Sequence, residues 1–483
     1  METATASVKN IPISPNTKLE EIFKIFDAQQ KNKQAVKLTT AKERKAKLKK
    51  LIDVTMDFRT KIQDAIYADL RKPAVETDYA EIYNVVAECR YAIANLDDWM
   101  ANHEVDTPML YIGSTSKIVY EPKGAALLLT PWNYPFMMPV QHLVAAVAAG
   151  CTAIIKPSEF TPHTSAVVKE MLSKIFPENE VAVIEGDHSV SSELLKLKFD
   201  HIHFTGSPAV GKVVMRAAAE HLTSVTLELG GKSPVIIDET ANIGAAAKKI
   251  TWGKFLNVGQ TCIAPDYILV HESKKDEFVT KLDANLKKVF GSDPEKSASM
   301  GRIVNNKHFN RLKGLLDDAV KRGAKIEAGG KTDENDNFIE PTVLSNVALD
   351  SKVMSEEIFG PLLPVISYKT PADALKIIND KEKPLALYIF SGSSKNQDFW
   401  MNNTSAGGTC INDNLAHISQ PNLPFGGVNN SGIGKSTGFF GFKEFSNERG
   451  VLKALHSGSV TTPLWQPYGK LAKMVSNFMI KYL

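Results

Sequence analysis

The amino-acid sequence predicts an α/β protein with two parallel sheets, and three observations support this prediction. Five short, almost continuously apolar segments between residues 125 and 229 alternate with segments of helical periodicity. Five similar segments follow Gly231 and are again separated by helical stretches. Strands that are apolar on both faces and joined by helices are typical of parallel sheets covered on both sides. With 43% hydrophobic residues, the 483-residue chain can form a large core.

The strands of the first set carry polar side chains directly after their carboxyl ends. These strands read ALLLTP, TAIIKPS, VAVIEG, HIHFTG and SVTLEL. In parallel sheets, ligands bind beyond the carboxyl ends of the strands. The candidates at this edge are Asn133, Lys156, Glu159, Gly206, Ser207 and Glu228. The second set reads PVIID, YILVHES, PLLPVISY, ALYIFS and TCIND, and it predicts a second sheet.

The predicted strands divide the chain into three parts. Residues 19–109 and 124–229 are expected to form a Rossmann-like parallel-sheet domain, with amphipathic helices at 19–33, 40–70 and 80–100. Residues 230–440 are expected to form a second α/β domain. Apolar and polar residues alternate in segment 110–121 on both sides of a Gly-Ser turn, which predicts a β-hairpin. An isolated hairpin is only marginally stable. We therefore expect 110–123 and 445–465 to form a small β element that pairs between subunits.

Composition and charge exclude several classes of protein. The net charge of +3 is small for this length, so no nucleic-acid partner is expected. The four cysteines are far apart and form no CxxC pair, which argues against a metal site and favours a reducing compartment. The N-terminus lacks the pattern of a secretory signal. The longest apolar run, Leu143 to Ile155, is shorter than the ~18 residues of a membrane span and predicts a core helix passing into a strand.

Three residues from distant segments have the chemistry needed for covalent catalysis on a carbonyl. Cys262 lies in NVGQTCIAPD, behind a turn of small residues, where a nucleophile and a packing cysteine are equally supported by the sequence. Glu228 precedes a pair of glycines in LELGG, where a carboxylate could be a general base, a helix cap or a solvated charge. Asn133 lies between prolines in TPWNYP, which stiffen the loop as an oxyanion donor requires, although a plain turn is the favoured interpretation of this motif taken by itself.

Other residues suggest a dinucleotide site. Lys156 and Glu159 leave a strand together and could bind ribose hydroxyls, and Glu159 would repel a 2′-phosphate, which favours NAD over NADP. GSPAVGK, beginning at Gly206, nearly fits a P-loop, but Val213 has no hydroxyl for magnesium. We therefore expect Gly206 and Ser207, at a helix start, to bind a pyrophosphate. In EEIFGP, Glu357 could bind a second ribose and Phe359 could pack against the nicotinamide face. The alternative is that this motif forms a surface turn.

In their order, PWNYP, KPSE, FTGS, LELGGKSP, GQTC and EEIFGP resemble the aldehyde dehydrogenases. GQTCIAPDYILV and the late PFGGV are similar to the class 3 branch, which includes fatty and aromatic aldehyde dehydrogenases. The resemblance implies Cys262 as nucleophile, Glu228 as general base and Asn133 as oxyanion donor. It also implies NAD, with NADP as the second choice. The implied cofactor ligands are Lys156, Glu159, Gly206, Ser207, Glu357 and Phe359.

The resemblance further implies an aldehyde substrate, with Phe425 as an aromatic wall of its pocket. Tyr134 and Met137 are also apolar, which favours aliphatic or aromatic aldehydes over charged semialdehydes. Two alternatives remain: an acylating dehydrogenase that releases acyl-CoA, and a non-catalytic protein on the same scaffold. We expect a cytoplasmic homodimer without a transmembrane segment. The tail 471–483 contains interspersed lysines, so a packed or frayed tail is favoured over weak attachment to a membrane surface.

Overall fold

The computed structural model describes residues 15–456 and 461–482, and it has the predicted α/β architecture. The strands of this part of the chain are β1 (His103–Val105), β2 (Thr115–Pro122), β3 (Ala125–Leu129), β4 (Thr152–Lys156), β5 (Val181–Val183), β6 (His201–Gly206), β7 (Ser224–Leu229), β8 (Pro234–Ile237), β9 (Tyr267–His271), β10 (Lys325–Ala328), β11 (Thr332–Asp333), β12 (Phe338–Ile339), β13 (Thr342–Ser345), β14 (Leu362–Tyr368), β15 (Ala386–Phe390), β16 (Gly408–Ile411), β17 (Gly432–Ile433) and β18 (Ser446–Lys453). Its α-helices are α1 (Leu19–Lys37), α2 (Ala41–Asp57), α3 (Arg59–Leu70), α4 (Ala74–Thr77), α5 (Tyr83–Trp99), α6 (Met137–Ala149), α7 (Pro162–Ser173), α8 (His188–Leu194), α9 (Pro208–Ala219), α10 (Ile243–Phe255), α11 (Lys275–Phe290), α12 (Asn306–Lys321), α13 (Lys352–Ser355), α14 (Pro371–Asn379), α15 (Ser394–Asn403), α16 (Gly438–Glu444) and α17 (Lys470–Tyr482).

The first predicted strand set forms one sheet. Its six strands lie in the order β17-β7-β6-β3-β4-β5, and β3 to β7 are mutually parallel. The short strand β17 pairs antiparallel with β7 and places Gly432 opposite Glu228. The sheet therefore brings the carboxyl ends of β7, β6, β3 and β4 side by side along one edge.

The second predicted set also forms one sheet, with two strands that the sequence analysis missed. The strand order is β10-β13-β14-β9-β8-β15-β16, parallel except for the edge strand β10. The missed strands are β10 and β13. Each has only four residues, and β10 is largely exposed, so neither has the long apolar pattern that predicts a buried strand.

The predicted hairpin at 110–121 is wrong. Residues Met109–Tyr111 form a 3₁₀ turn, and only β2 is extended. This strand lies between β1 and β18 in a three-stranded antiparallel sheet. The small β element therefore combines both predicted segments, although residues 457–460 of the second lie outside the described part of the chain. Local alternation predicted a partner within 110–121, but β2 pairs on one side with β1, upstream of that segment, and on the other with β18, from the far end of the chain.

Two predicted helices also differ from the structure. The helix predicted for residues 40–70 is interrupted at Phe58 and forms α2 and α3. The apolar periodicity continues across the break, so the pattern alone does not reveal it. The helix predicted from Ala80 is part of a longer one, because α4 continues through a π-helical turn, Asp78–Ile82, into α5.

The apolar run at 143–155 is a core helix followed by a strand, as predicted. Every residue of α6 is buried. The helix ends at Gly150, whose φ of 88° suits glycine, and the chain then enters β4. Within residues 15–456 and 461–482, no helix combines the length and apolar character that crossing a membrane requires.

Candidate active site

Cys262 follows a strained turn at the end of α10. Asn257, Val258 and Gly259 have φ values of 49°, 59° and 75°, so three consecutive residues are left-handed. A β-branched residue such as Val258 rarely adopts this conformation, and strain of this kind is frequent at functional sites. A Cβ on Gly259 would lie 2.3 Å from the carbonyl oxygen of Gly360, so only glycine fits there. The turn therefore fixes the backbone conformation of the residues that precede Cys262.

Two hydrogen bonds connect this turn to Asn133. The Asn257 amide donates to the Asn133 carbonyl at 2.7 Å, and Asn133 Nδ2 donates to the Gln260 carbonyl at 3.0 Å. Gln260 is fully buried, and its side chain binds the backbone of Arg302 and Val304. These bonds join the Asn133 loop to the Cys262 turn across more than 120 positions of sequence. Nothing in the local sequence around Asn257 and Gln260 indicates these contacts.

A buried ion pair holds the Asn133 loop from the other side. Lys72 and Glu81 are 1% and 0% exposed, and their charged atoms lie 2.5 Å apart. Lys72 also donates to the Asn133 carbonyl at 3.1 Å, and Glu81 accepts backbone N–H bonds from Phe136 and Met137. Such a pair is retained only when its remaining polar atoms are satisfied, as they are here. Sequence analysis missed this pair because nothing in its local pattern marks it as buried.

Glu228 is a buried carboxylate with one bonded and one free oxygen. Its side chain lies in β7 and is 4% exposed. Oε1 accepts a 2.8 Å hydrogen bond from Ser436 Oγ, whereas Oε2 has no protein partner. Burial raises the pKa of Glu228 to about 8, against the lowering effects of Ser436 and Lys435. At neutral pH this carboxyl is poised to gain or lose a proton, as a general base must be.

Two cavities meet at Cys262. One is lined mainly by apolar side chains; the other is larger and also contains Asn133 and Glu228. The three residues predicted to act on a carbonyl therefore line one cleft. Burial, together with the carboxylates Glu357 and Glu228, raises the pKa of Cys262 to about 12. Because the thiolate is disfavoured, the sulfur needs a base to accept its proton.

The larger cavity contains most of the predicted cofactor residues. Gly206, Ser207, Glu357 and Phe359 line it. Ser207 caps the N-terminus of α9, as the strand-to-helix pattern predicted. Burial and the Asp266 carboxylate raise the pKa of Glu357 to about 7, and its Oε1 is buried without a partner. Phe359 packs edge-on against Trp132, with ring centroids 5.4 Å apart.

Lys156 and Glu159 lie together at the end of β4. Lys156 Nζ is 3.2 Å from Glu159 Oε2, and the lysine is 4% exposed while the carboxylate is 18% exposed. Burial lowers the pKa of Lys156, and Glu159 partly offsets that effect. The pair follows the strand adjacent to β3, at the same sheet edge as the larger cavity.

Two of the three residues predicted for the substrate pocket lie at the smaller cavity. Tyr134 and Met137 line it, and Tyr134 is held by a 2.7 Å hydrogen bond to Thr261. Phe425 lies outside the lining of both cavities and packs against the His417 ring at 5.7 Å, so its role as a pocket wall stays a prediction. Sequence analysis missed several lining residues that come from helices and loops far apart in the chain: Tyr79, Asn84, Trp252, Leu256, Leu415 and Ile418.

Comparison with known proteins identifies the family of this chain. The model of the aldehyde dehydrogenase family matches residues 5–451. The 4,4′-diaponeurosporen-aldehyde dehydrogenase of Staphylococcus aureus is 45% identical over 85% of this chain and 88% of its own. The dimeric NADP-preferring aldehyde dehydrogenase of Rattus norvegicus is 43% identical over 81% of this chain and 85% of its own. The substrate-bound state of Staphylococcus aureus AldH superposes with a TM-score of 0.90 at 42% identity, covering 95% of this chain and 99% of that one.

The chain therefore belongs to the aldehyde dehydrogenase family. It is an NAD(P)-dependent oxidoreductase that acts on the aldehyde group.

Proposed function

We propose that the protein oxidises apolar aldehydes to carboxylic acids through a covalent intermediate on Cys262. The observation that carries this proposal is the meeting of two cavities at that thiol. One cavity is apolar and suits the carbon chain of an aldehyde. The other contains Asn133, Glu228 and the glycine-lined turn expected for a dinucleotide. A thiol between them can hold the carbonyl carbon within reach of a hydride acceptor.

In the proposed mechanism, Cys262 loses its proton to a base and its sulfur attacks the aldehyde carbon. The resulting oxyanion accepts hydrogen bonds from the Asn133 amide and the Cys262 backbone N–H. One such donor lowers the barrier by about 3 kcal/mol. A dinucleotide held by Gly206, Ser207, Glu357 and Phe359 would supply a hydride acceptor. Loss of hydride from the carbon bonded to Cys262 Sγ converts the thiohemiacetal into a thioester. Glu228 Oε2 then takes a proton from water, and the water oxygen displaces the thiolate to give the acid.

The larger cavity suits NAD(P) in its polar chemistry and in its shape. Glu357 Oε1 is a buried acceptor without a partner, which a ribose hydroxyl would satisfy. A Cβ on Gly230 would lie 2.1 Å from Glu357 Oε2. Only glycine therefore leaves room for the Glu357 carboxylate at this position. Gly206 and Ser207 would hold the pyrophosphate at the N-terminus of α9, and Phe359 would contact the nicotinamide. Lys156 and Glu159 would bind the adenosine ribose.

Comparing aldehydes with and without CoA tests substrate and cofactor together. Because the smaller cavity is lined mainly by apolar side chains, we expect kcat/KM to rise with chain length from acetaldehyde to medium-chain and aromatic aldehydes. Each methylene that enters the cavity should contribute about 0.8 kcal/mol. Because of the charge on Glu159, NAD should give a higher kcat/KM than NADP.

Measurement of NADH at 340 nm and of the product checks both expectations. A charged semialdehyde as the best substrate would contradict the apolar pocket. Equal use of both dinucleotides would contradict the role of Glu159. Acyl-CoA as the product would favour the acylating alternative, and no turnover with any aldehyde would favour the non-catalytic one.

The domain division is also a proposal. The parallel strands β3 to β7 of the six-stranded sheet support a cofactor domain from residues 19–109 and 124–229, although β17 of that sheet comes from 230–440. The seven-stranded sheet supports a catalytic domain over 230–440. The three-stranded sheet supports a role in dimer formation, because its strand β18 is mostly exposed along an edge. Four free cysteines support a reducing, cytoplasmic location.

The C-terminal helix α17 supports weak attachment to an anionic membrane surface. Leu471, Met474 and Phe478 are more than half exposed on its apolar side. Its charged residues are the lysines 470, 473 and 481, without an acidic residue. Apolar side chains with flanking lysines are typical of helices that lie at a membrane interface.

Sedimentation with and without vesicles tests both expectations. Without vesicles, the protein should sediment as a dimer; with phosphatidylserine vesicles, a salt-sensitive fraction should pellet. A monomer would contradict the role of the three-stranded sheet. Absence of pelleting would leave α17 as a frayed tail.

A further inference from the structure

The two oxygens of Glu228 have different environments. Oε1 accepts a hydrogen bond from Ser436 Oγ at 2.8 Å. Oε2 is buried and has no protein partner. Ser436 is itself 3% exposed, so its hydroxyl is shielded from solvent beside the carboxylate. A buried donor bonded to a carboxylate fixes the carboxylate's orientation more firmly than an exposed one, since water competes less for either group.

The backbone around Ser436 is held by further bonds. The Ser436 N–H donates to the Phe425 carbonyl at 2.7 Å. Lys435 Nζ donates to the Gly426 carbonyl at 2.8 Å, and the Lys435 N–H donates to Glu444 Oε1 at 3.0 Å. The Ser436 hydroxyl is therefore presented to Glu228 by a well-bonded loop.

The same network reaches the strand that carries Glu228. Glu444 Oε2 accepts a 3.0 Å bond from Thr226 Oγ1, two residues before Glu228 in β7. Loop 425–436 and β7 are thus joined both by Glu444 and by the pairing of β17 with β7. The distance between Ser436 and Glu228 is set by main-chain and buried side-chain bonds.

We propose that Ser436 is a positioning residue: its hydroxyl fixes Oε1 of Glu228 and so leaves Oε2 as the oxygen that accepts the proton. The inference rests on the proposed role of Glu228 as general base. Ser436 is not expected to touch substrate or cofactor, and it lines neither cavity.

The charged groups around Glu228 have opposite effects on its ionisation. Lys435 favours the ionised carboxylate, and Glu444 disfavours it. Glu228 in turn raises the pKa of the Cys262 thiol. A hydroxyl donor on Oε1 stabilises the ionised form, so its removal should raise the pH at which Glu228 becomes a base.

Kinetics of Ser436→Ala over pH 6 to 10 test this inference. A hydrogen bond to a charged group has a free energy that corresponds to roughly a tenfold change in its ionisation equilibrium. We expect the alkaline rise of kcat to move up by roughly one pH unit and kcat at pH 7 to fall about tenfold. The amplitude of the NADH burst at pH 9 should be unchanged. Ser436→Thr keeps the hydroxyl and should restore the wild-type profile.

Ser446→Ala is the matched control. Ser446 is also buried, but its hydroxyl donates to the Phe442 carbonyl at 2.7 Å and not to a residue of the site. This variant also loses one buried serine hydroxyl near α16. It should keep the wild-type pH profile even if its thermal stability falls.

Two outcomes would overturn the role of Ser436. One is a wild-type pH profile in Ser436→Ala. The other is a loss of activity that is equal at all pH values and not restored by threonine.

Glu228→Gln separates this inference from the proposed function. If Glu228→Gln hydrolyses the thioester at the wild-type rate, the general-base role itself fails. If Glu228→Gln slows thioester hydrolysis, and the addition of Ser436→Ala causes no further slowing, both proposals stand.

Discussion

Replacing Cys262 by alanine should abolish NADH formation while leaving dinucleotide binding intact. Without the sulfur, the aldehyde cannot become the tetrahedral thiohemiacetal from which hydride leaves. Removal of a catalytic nucleophile lowers kcat by up to about 10⁶-fold, so a fall of at least roughly 10⁴-fold is expected. Binding of NAD, followed by quenching of protein fluorescence, should be unchanged because the cofactor residues remain in place.

Cys410→Ala is the control for this variant. Cys410 Sγ lies 3.2 Å from His417 Nδ1, and a cysteine beside a histidine is a common arrangement of reactive thiols. However, neither residue lines either cavity at Cys262, and burial lowers the pKa of His417 to about 4. We therefore expect this variant to keep turnover. Activity retained by Cys262→Ala but lost in Cys410→Ala would transfer the chemistry to the second thiol.

Replacing Glu228 by glutamine should separate the two halves of the reaction. A positioned general base accelerates proton transfer by about 10²- to 10⁴-fold, so steady-state turnover should fall within that range. The first NADH burst should persist if Glu228 acts on water, since the thioester forms before hydrolysis. Stopped-flow measurement at 340 nm detects both phases. Loss of the burst would instead identify Glu228 as the base that activates Cys262.

The same variant should be more stable than wild type at high pH. The pKa of Glu228 is about 8 in the folded protein, above the ordinary value of 4.5. The stabilising contribution of the protonated carboxyl is therefore complete below about pH 4.5 and is lost as the pH rises through 8. Glutamine cannot ionise, so its advantage at pH 9 should be on the order of a few kcal/mol. Thermal unfolding at pH 5 and pH 9 measures this difference.

Glu178→Gln is the control for the pH effect. Glu178 is exposed at the turn after α7, so the substitution removes one carboxylate without changing a buried site. Its unfolding temperature should follow that of the wild type at both pH values. If Glu228→Gln shows no advantage at pH 9, the carboxyl is solvated and not held in the buried site described above.

Several elements were predictable because their patterns are local. Each of the ten predicted strands is a short apolar segment followed by a turn, and all ten lie in the two large sheets. The hairpin at 110–121 failed because alternation indicates a strand and not its partner. The strand β2 pairs with β1, upstream of the predicted hairpin, and with β18, which is distant in sequence. The role of Phe425 as a pocket wall stays a prediction, since a motif identifies a residue but not the cavity that its ring faces.

The sequence by itself determined the fold class, the family and the chemical groups available: a thiol, a carboxylate and an amide in characteristic motifs. Only the tertiary structure decided how they are arranged. The bond from Asn133 to Gln260 and the bond from Ser436 to Glu228 both join residues more than 100 positions apart. The burial that raises the pKa of Glu228 likewise arises only in the folded chain. Periodicity and motifs describe neighbours in sequence, whereas burial and hydrogen bonding depend on neighbours in space.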